Sequence, residues 1–258
     1  MPIKDSSKQI HVFPERNQAW NAAGMAVEKC IVDLQDKQDE IRMILAAAPS
    51  QTGMLHFLAA STKIKWEKIV AMHMDEYLGL PIDAPQFFSK YLMENLFSKV
   101  PFKEVHLIQA QEKQELEIQR YSNLLKKAPI DIVCLGIGEN GHIAFNDPPV
   151  ADFQDPVWVK EVLLDDECKA QQVHDGCFDN LEAVPKKALT LTIPALMSGH
   201  HLFCVVLGEN KSEAVKNTLI GPLSETCPAS ILMTHAQCKF YFDTSAVSKL
   251  PQSYLATI

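Results

Sequence analysis

No C-x-x-C pair occurs in the chain, and its seven cysteines are an odd number spread from Cys30 to Cys238. That argues against a disulfide framework and against a zinc ribbon. The thiols are expected to pack as small apolar groups, as Cys134 does inside an apolar run. Cys177, between Gly176 and Phe178 with no adjacent histidine, is read as packing rather than as a nucleophile. No apolar stretch is long enough to span a bilayer, and the start, Met1-Pro2-Ile3-Lys4-Asp5, lacks the basic and then apolar run of a signal peptide. A cytoplasmic location and no membrane partner are expected. Positive charge is also short: the formal net charge is −8 and the basic residues are scattered. This gives no general attraction to nucleic acid and points to a small-molecule partner. An anionic ligand then needs a local electropositive pocket, to be built from lysines and backbone N–H groups, since arginine is limited to Arg16, Arg42 and Arg120. Internal repeats, low-complexity tracts and linkers are missing too, so residues 1–258 are read as one domain.

What is present is an alternation of β-branched apolar runs with longer segments of helical spacing, the pattern of βαβ units. Strands are expected at 9–13, 41–47, 69–74, 105–108, 130–136, 202–207 and 239–242, and helices at 15–37, 52–60, 87–99, 112–127 and 211–220. Runs such as Ile132-Val133-Cys134-Leu135 show no polar alternation, as befits a strand covered on both faces. The expected fold class is α/β: a doubly wound, mostly parallel, Rossmann-like sheet. Residues 148–187 break the pattern with mixed charges and are a candidate lid insertion.

Open sheets of this kind bind ligands beyond the carboxyl ends of their strands, so the strand exits carry the chemistry. After the second strand, Pro49-Ser50-Gln51-Thr52-Gly53 enters a helix, which suits an anion, although an ordinary capped helix explains the turn as well. After the third, Asp75 and Glu76 should point to opposite sides of the strand end, so one faces the cleft, where a carboxylate can take a proton from beside a carbonyl. The exit 136–148 has glycines at Gly136, Gly138 and Gly141, superficially a dinucleotide fingerprint. It fails as one, because His142 follows and Pro148 ends the segment before a long helix can form. A histidine flanked by Asn140 and Asp147 can have its ring oriented and act as an acid–base group instead. Lys211 opens a helix, where a cation is unfavourable unless an anion is bound. His200-His201 has no partner at ligand spacing, so no metal is expected.

The segments Met74-Asp75-Glu76-Tyr77-Leu78-Gly79-Leu80 and Gly136-Ile137-Gly138-Glu139-Asn140-Gly141-His142-Ile143-Ala144-Phe145-Asn146-Asp147-Pro148 closely resemble the signatures of the glucosamine-6-phosphate deaminases, also called isomerases. The order of elements agrees over nearly the whole chain. The resemblance implies cofactor-free conversion of an amino-sugar 6-phosphate, either glucosamine or galactosamine 6-phosphate, and water into a ketose 6-phosphate and ammonia. It implies that Asp75 is the base that moves the C2 proton to C1 and that His142 is the ring-opening acid–base residue, with Asn140 and Asp147 setting its state. Ser50, Gln51, Thr52, Gly53, Gly141 and Lys211 match substrate- and phosphate-binding positions. Relatives are often oligomers, so a homo-oligomer is a possible partner state. The chain departs from the family pattern in having Asn140 for Asp, Asp147 for Glu, Pro49-Ser50-Gln51-Thr52 for Thr-Gly-Gly-Thr, and Gly176 in place of a phosphate-binding arginine. The alternatives are a related 6-phosphogluconolactonase, whose histidine is usually followed by Thr-Ala-Ser rather than Ile143-Ala144-Phe145, and a non-catalytic sugar-phosphate binder.

Overall fold

The computed structural model describes residues 9–256, so the Met1 to Asp5 start lies outside the described residues. The strands are β1 (Gln9–Phe13), β2 (Ile41–Leu45), β3 (Ile69–His73), β4 (Asp75–Leu78), β5 (Glu104–His106), β6 (Ile132–Leu135), β7 (Val159–Leu163), β8 (Lys187–Leu191), β9 (His201–Val206) and β10 (Cys238–Asp243). The α-helices are α1 (Arg16–Gln35), α2 (Thr52–Ala59), α3 (Phe88–Leu92), α4 (Gln114–Lys126), α5 (Asp166–His174), α6 (Ile193–Met197), α7 (Ser212–Ile220) and α8 (Gln252–Leu255).

Seven strands form one sheet in the order β1-β10-β9-β6-β2-β3-β5, every pair parallel. All seven were expected from apolar runs, and their burial shows why. β2, β3 and β6 have no exposed residue. Alternate side chains of each strand enter different cores. Ile41, Met43 and Leu45 join Ala19, Ala23 and Val27 of α1 and Met54, Leu55 and Leu58 of α2. Ile44, Val133 and Leu135 face the other way, with Tyr121 and Leu125 of α4 and Val215 and Leu219 of α7. Helices therefore cover both faces, as a doubly wound sheet requires.

A second sheet, β4-β8-β7, is antiparallel and was not expected. Its strands are short and carry charge, and β7 is exposed at alternate positions. The 148–187 segment is thus more than an irregular insertion: it holds β7 and α5. The chain runs from β2 outward through β3 to β5, then returns to β6 on the other side of β2. That reversal is the topological switch point where ligand crevices form.

Candidate active site

A cavity of about 330 Å³ opens at this switch point. Its walls come from the exits of β2 (Ala46 to Ser50), β3 (Met74, Asp75), β6 (Gly136 to Gly138, with His142) and β9 (Leu207, Asn210, Lys211), and from the end of α5.

Asp75 leaves the large sheet as the first residue of β4 and is 7% exposed, at the cavity wall. Its neighbour Glu76 points away, as strand alternation demands. Glu76 Oε1 accepts from Tyr77 N and Phe88 N, both at 3.0 Å, and Oε2 from Ser89 N at 2.9 Å, so this carboxylate anchors the start of α3. No hydrogen bond reaches the Asp75 carboxylate among the described residues. Burial, then the charges of Glu76 and Asp147, push the Asp75 pKa well above the ordinary carboxylate range.

His142 lies across a tight turn from Gly138, whose amide donates to the His142 carbonyl at 2.9 Å. A β-carbon at Gly138 would overlap the imidazole, so only glycine lets the ring lie there. Gly141 takes φ +86 to close the turn. Asn140 Oδ1 accepts from His142 N at 3.0 Å, and Asn140 Nδ2 donates to Asp147 Oδ1 at 2.9 Å. The same Oδ1 is 2.7 Å from His142 Nδ1, close enough to fix the ring's orientation. Burial works to raise the Asp147 pKa. The neighbouring His142 ring, the hydrogen bond from Asn140 and the nearby Cys168 thiol outweigh it and leave Asp147 below its usual value. The turn is tied to β8: Phe145 N donates to Thr190 Oγ1 at 3.0 Å and Asn146 Nδ2 to the Leu191 carbonyl at 2.8 Å.

Lys211 is 7% exposed, and its ammonium has no hydrogen-bond partner, with Glu139 only at 4.0 Å. Burial lowers its pKa, while Asp175 and Glu139 act in the opposite direction. A desolvated cation with no partner in a cavity wall is suited to an anionic ligand.

Of the expected substrate-binding residues, Ser50 and Lys211 line the cavity. Gln51, Thr52, Gly53 and Gly141 stand behind the wall. The turn Pro49–Gln51 swings the Gln51 amide inward, to the carbonyls of Leu135 (3.3 Å) and Val205 (3.2 Å), so it braces two strands. Thr52 Oγ1 bonds Tyr91 Oη at 2.7 Å, and Gly53 packs against the Trp20 ring. Asn140 and Asp147 act on His142 from behind and do not line the cavity.

Sequence reasoning missed Arg16, Trp20 and the residues of the 148–187 segment that form a wall, Gln171, Gln172, His174 and Asp175. The rule that strand exits carry ligands applied equally to β1, whose exit leads directly to Arg16. Three residues of α5 also hold the site together. Cys168 Sγ lies within 4.8 Å of the side-chain ligand atoms of His142 and Asp147, Gln171 Oε1 accepts from Glu139 N at 2.8 Å, and Gln172 Oε1 accepts from Tyr77 Oη at 2.5 Å. Cys177 lines the cavity, but burial pushes its thiol up to about 11, in keeping with an inert group.

His142, Asp147 and Cys168 are the one trio among the described residues whose ligand atoms, all within 4.8 Å of one another, could hold a metal. Burial, then Asp147 and Asp165, push the Cys168 thiol far up. The thiolate is the form that binds a metal, so a thiol that burial keeps protonated makes the trio a weak ligand set. No helix among the described residues is long and apolar enough to cross a membrane.

A desolvated carboxylate, an oriented histidine and a buried lysine without a hydrogen bond, around one crevice of a doubly wound sheet, suit acid–base chemistry on a small anion. The chain belongs to the family of glucosamine-6-phosphate isomerases/6-phosphogluconolactonase, which matches residues 14–241. It is 34% identical over 188 residues to a glucosamine-6-phosphate deaminase of Streptococcus uberis, covering 72% of this chain and 78% of that protein. To a glucosamine-6-phosphate deaminase of Listeria innocua it is 34% identical over 212 residues, covering 82% and 88%. Among solved structures, a monomeric glucosamine-6-phosphate deaminase superposes with a TM-score of 0.84 at 26% identity, covering 93% of this chain and 99% of that one. A 6-phosphogluconolactonase of Thermotoga maritima shares the fold, with a TM-score of 0.72 at 19% identity over 92% and 99%.

Proposed function

We propose that the protein is an enzyme that converts glucosamine 6-phosphate and water into a ketose 6-phosphate and ammonia. The observation that carries this reading is the meeting of Asp75, His142 and a Lys211 ammonium without a hydrogen-bond partner on one cavity. Family membership and the deaminase relatives support it.

In this reading His142, held by Asp147 and Asn140, moves the proton that opens the sugar ring. The open-chain aldehyde makes the C2 proton acidic; Asp75 removes it while the C1 oxygen takes up a proton from solvent, which leaves an enolamine. Asp75 returns the proton to C1, which leaves an iminium at C2. Water adds there, one of its hydrogens leaves with the amine as ammonia and the other returns to solvent, so the bonds broken are C2–H and C2–N and those formed are C1–H, O1–H and the C2 carbonyl. A carboxylate whose pKa is raised is the stronger base, as this shuttle needs. The 148–187 segment, which supplies α5 to the wall, acts as the cover that keeps bulk water from the enolamine.

Galactosamine 6-phosphate differs from glucosamine 6-phosphate only at C4, so both belong in the test. Ammonia and ketose 6-phosphate are measured with each sugar, for the wild type and Asp75→Asn. Release from one sugar, lost in the variant, supports the reading and names the epimer. No release from either refutes it and directs the assay to 6-phosphogluconolactone hydrolysis.

A further inference from the structure

A sugar phosphate carries close to two negative charges, and it must enter a cavity lined by Asp75 and Asp175 in a chain of net charge −8. Lys211 supplies one compact cation. A planar, forked donor would complete the binding of a phosphate, which a point charge alone does not match.

Two of the three arginines are already engaged. Arg42 donates to the carbonyls of Leu124 (2.6 Å), Leu125 (3.2 Å) and Ala128, pinning α4 to the sheet. Arg120 is paired with Glu117 at 2.6 Å and donates to the Leu107 carbonyl at 2.8 Å. Arg16 alone lines the cavity, and among the described residues it has no hydrogen-bond or ion-pair partner. Its guanidinium carbon lies 5.6 Å from the centroid of the Trp20 ring, one turn further along α1. That distance is within cation–π range. A cation–π contact spends none of the five guanidinium N–H donors. Trp20 is itself fixed to the Ser50 turn: its Nε1 donates to the Ser50 carbonyl at 2.6 Å, and its ring packs against Gly53.

From these contacts we infer that Arg16 is a phosphate-binding residue of the cavity, held by Trp20 beside the Ser50 turn and acting with Lys211 on one phosphate group. The inference rests on the proposed sugar-phosphate function for its biological ligand. It also states where that ligand's charged end lies: between the first turn of α1 and the start of α7, with the sugar carbons reaching toward Asp75.

The test uses the full chain with Arg16→Ala and Arg16→Lys. Arg16 is exposed, so neither variant endangers the core. Inorganic phosphate is titrated into each protein by calorimetry, and kcat and KM are measured with glucosamine 6-phosphate. A hydrogen bond to a charged group is worth a factor of about ten to a hundred in affinity. The expected result is a phosphate Kd raised by that factor in Arg16→Ala, with Arg16→Lys in between. KM should rise in parallel while kcat changes by less than about threefold, because the lost contact is made equally in ground and transition states. Phosphate affinity unchanged in Arg16→Ala overturns the assignment, and if ammonia is still released the proposed function survives. Arg16-dependent phosphate binding without ammonia release from either amino sugar leaves the assignment standing and sinks the function.

Discussion

Asp75→Asn should abolish turnover and, above about pH 4, make the folded protein progressively more stable than wild type. In the unfolded chain the carboxyl ionises near its ordinary value of 3.8, whereas in the fold burial, Glu76 and Asp147 raise it well above that. The linkage sign follows. Below 3.8 both states hold the proton and the side chain costs nothing. As pH rises from 3.8 toward the folded value, the unfolded state releases a proton that the native state keeps, and wild-type stability falls relative to the variant. Above the folded value the cost is constant. The slope in the window is at most about 1.4 kcal/mol per pH unit, which for a chain of this size opens the gap in Tm by roughly 3–5 °C per unit. Asparagine keeps the shape and carries no charge, but its buried amide adds a penalty independent of pH. The diagnostic quantity is therefore the slope of the difference rather than its offset. Thermal melts of both proteins across pH 4 to 8 measure it, and the pH at which the gap levels off reports the folded pKa of Asp75. On the catalytic side, an amide cannot accept the C2 proton, and a positioned base is worth about 10²–10⁴ in rate. A gap that stays flat or narrows with rising pH would refute the electrostatic reasoning. Retention of a tenth of the activity would refute the role of base.

Asp147→Asn should show the opposite sign: its folded pKa is depressed, so its contribution is present above 3.8 and is lost as pH falls through the depressed value. The variant is expected to lose about 1–3 kcal/mol at neutral pH, with the difference closing in acid, and about ten- to a hundredfold in kcat as His142 loses its orienting carboxylate. Gly138→Ala places a β-carbon where the His142 ring lies. Far-UV circular dichroism should be unchanged while kcat falls on the order of a hundredfold, the usual result of moving a catalytic group by about 1 Å. Lys211→Met removes an ammonium whose pKa burial lowers. The cost of that ammonium is absent above its ordinary value of 10.5 and fully present at neutral pH, so the unliganded variant should melt higher, by about 1 kcal/mol of stability. Added phosphate should then raise the variant's Tm less than the wild type's.

The parallel sheet was legible because its strands are buried on both faces, so burial had written itself into the chain as apolar runs without alternation. The small sheet left no such mark. β4 reads Asp-Glu-Tyr-Leu, and its polar groups are satisfied by partners far along the chain: Phe88 and Ser89 for Glu76, and Gln172 for Tyr77. The Ser50 to Gly53 turn illustrates the complementary limit. Its composition suits an anion site, yet whether an amide or hydroxyl faces the crevice depends on the helical twist at Pro49–Gln51 and on the Leu135 and Val205 carbonyls that draw Gln51 inward. Arg16 went unassigned for a similar reason, since nothing local distinguishes an arginine stacked at a cavity from one in solvent.

The hidden sheet is also what separates the roles of the two adjacent acids. β4 turns away from the parallel sheet and pairs with β8, with Asp75 opposite Thr190. Thr190 at the same time receives the Phe145 amide, so one residue of β8 holds both the strand bearing Asp75 and the turn bearing His142. Alternation along β4 then sends Glu76 into a nest of three amides and leaves Asp75 facing the cavity with no donor. A carboxylate whose oxygens are occupied by three backbone amides anchors the chain and offers no open face to a substrate proton. One that is desolvated, donor-free and beside two other negative charges takes it readily. The contrast between the two acids therefore comes from the distribution of hydrogen-bond donors around neighbouring side chains, and a single-residue slip in the β4–β8 register would exchange their surroundings.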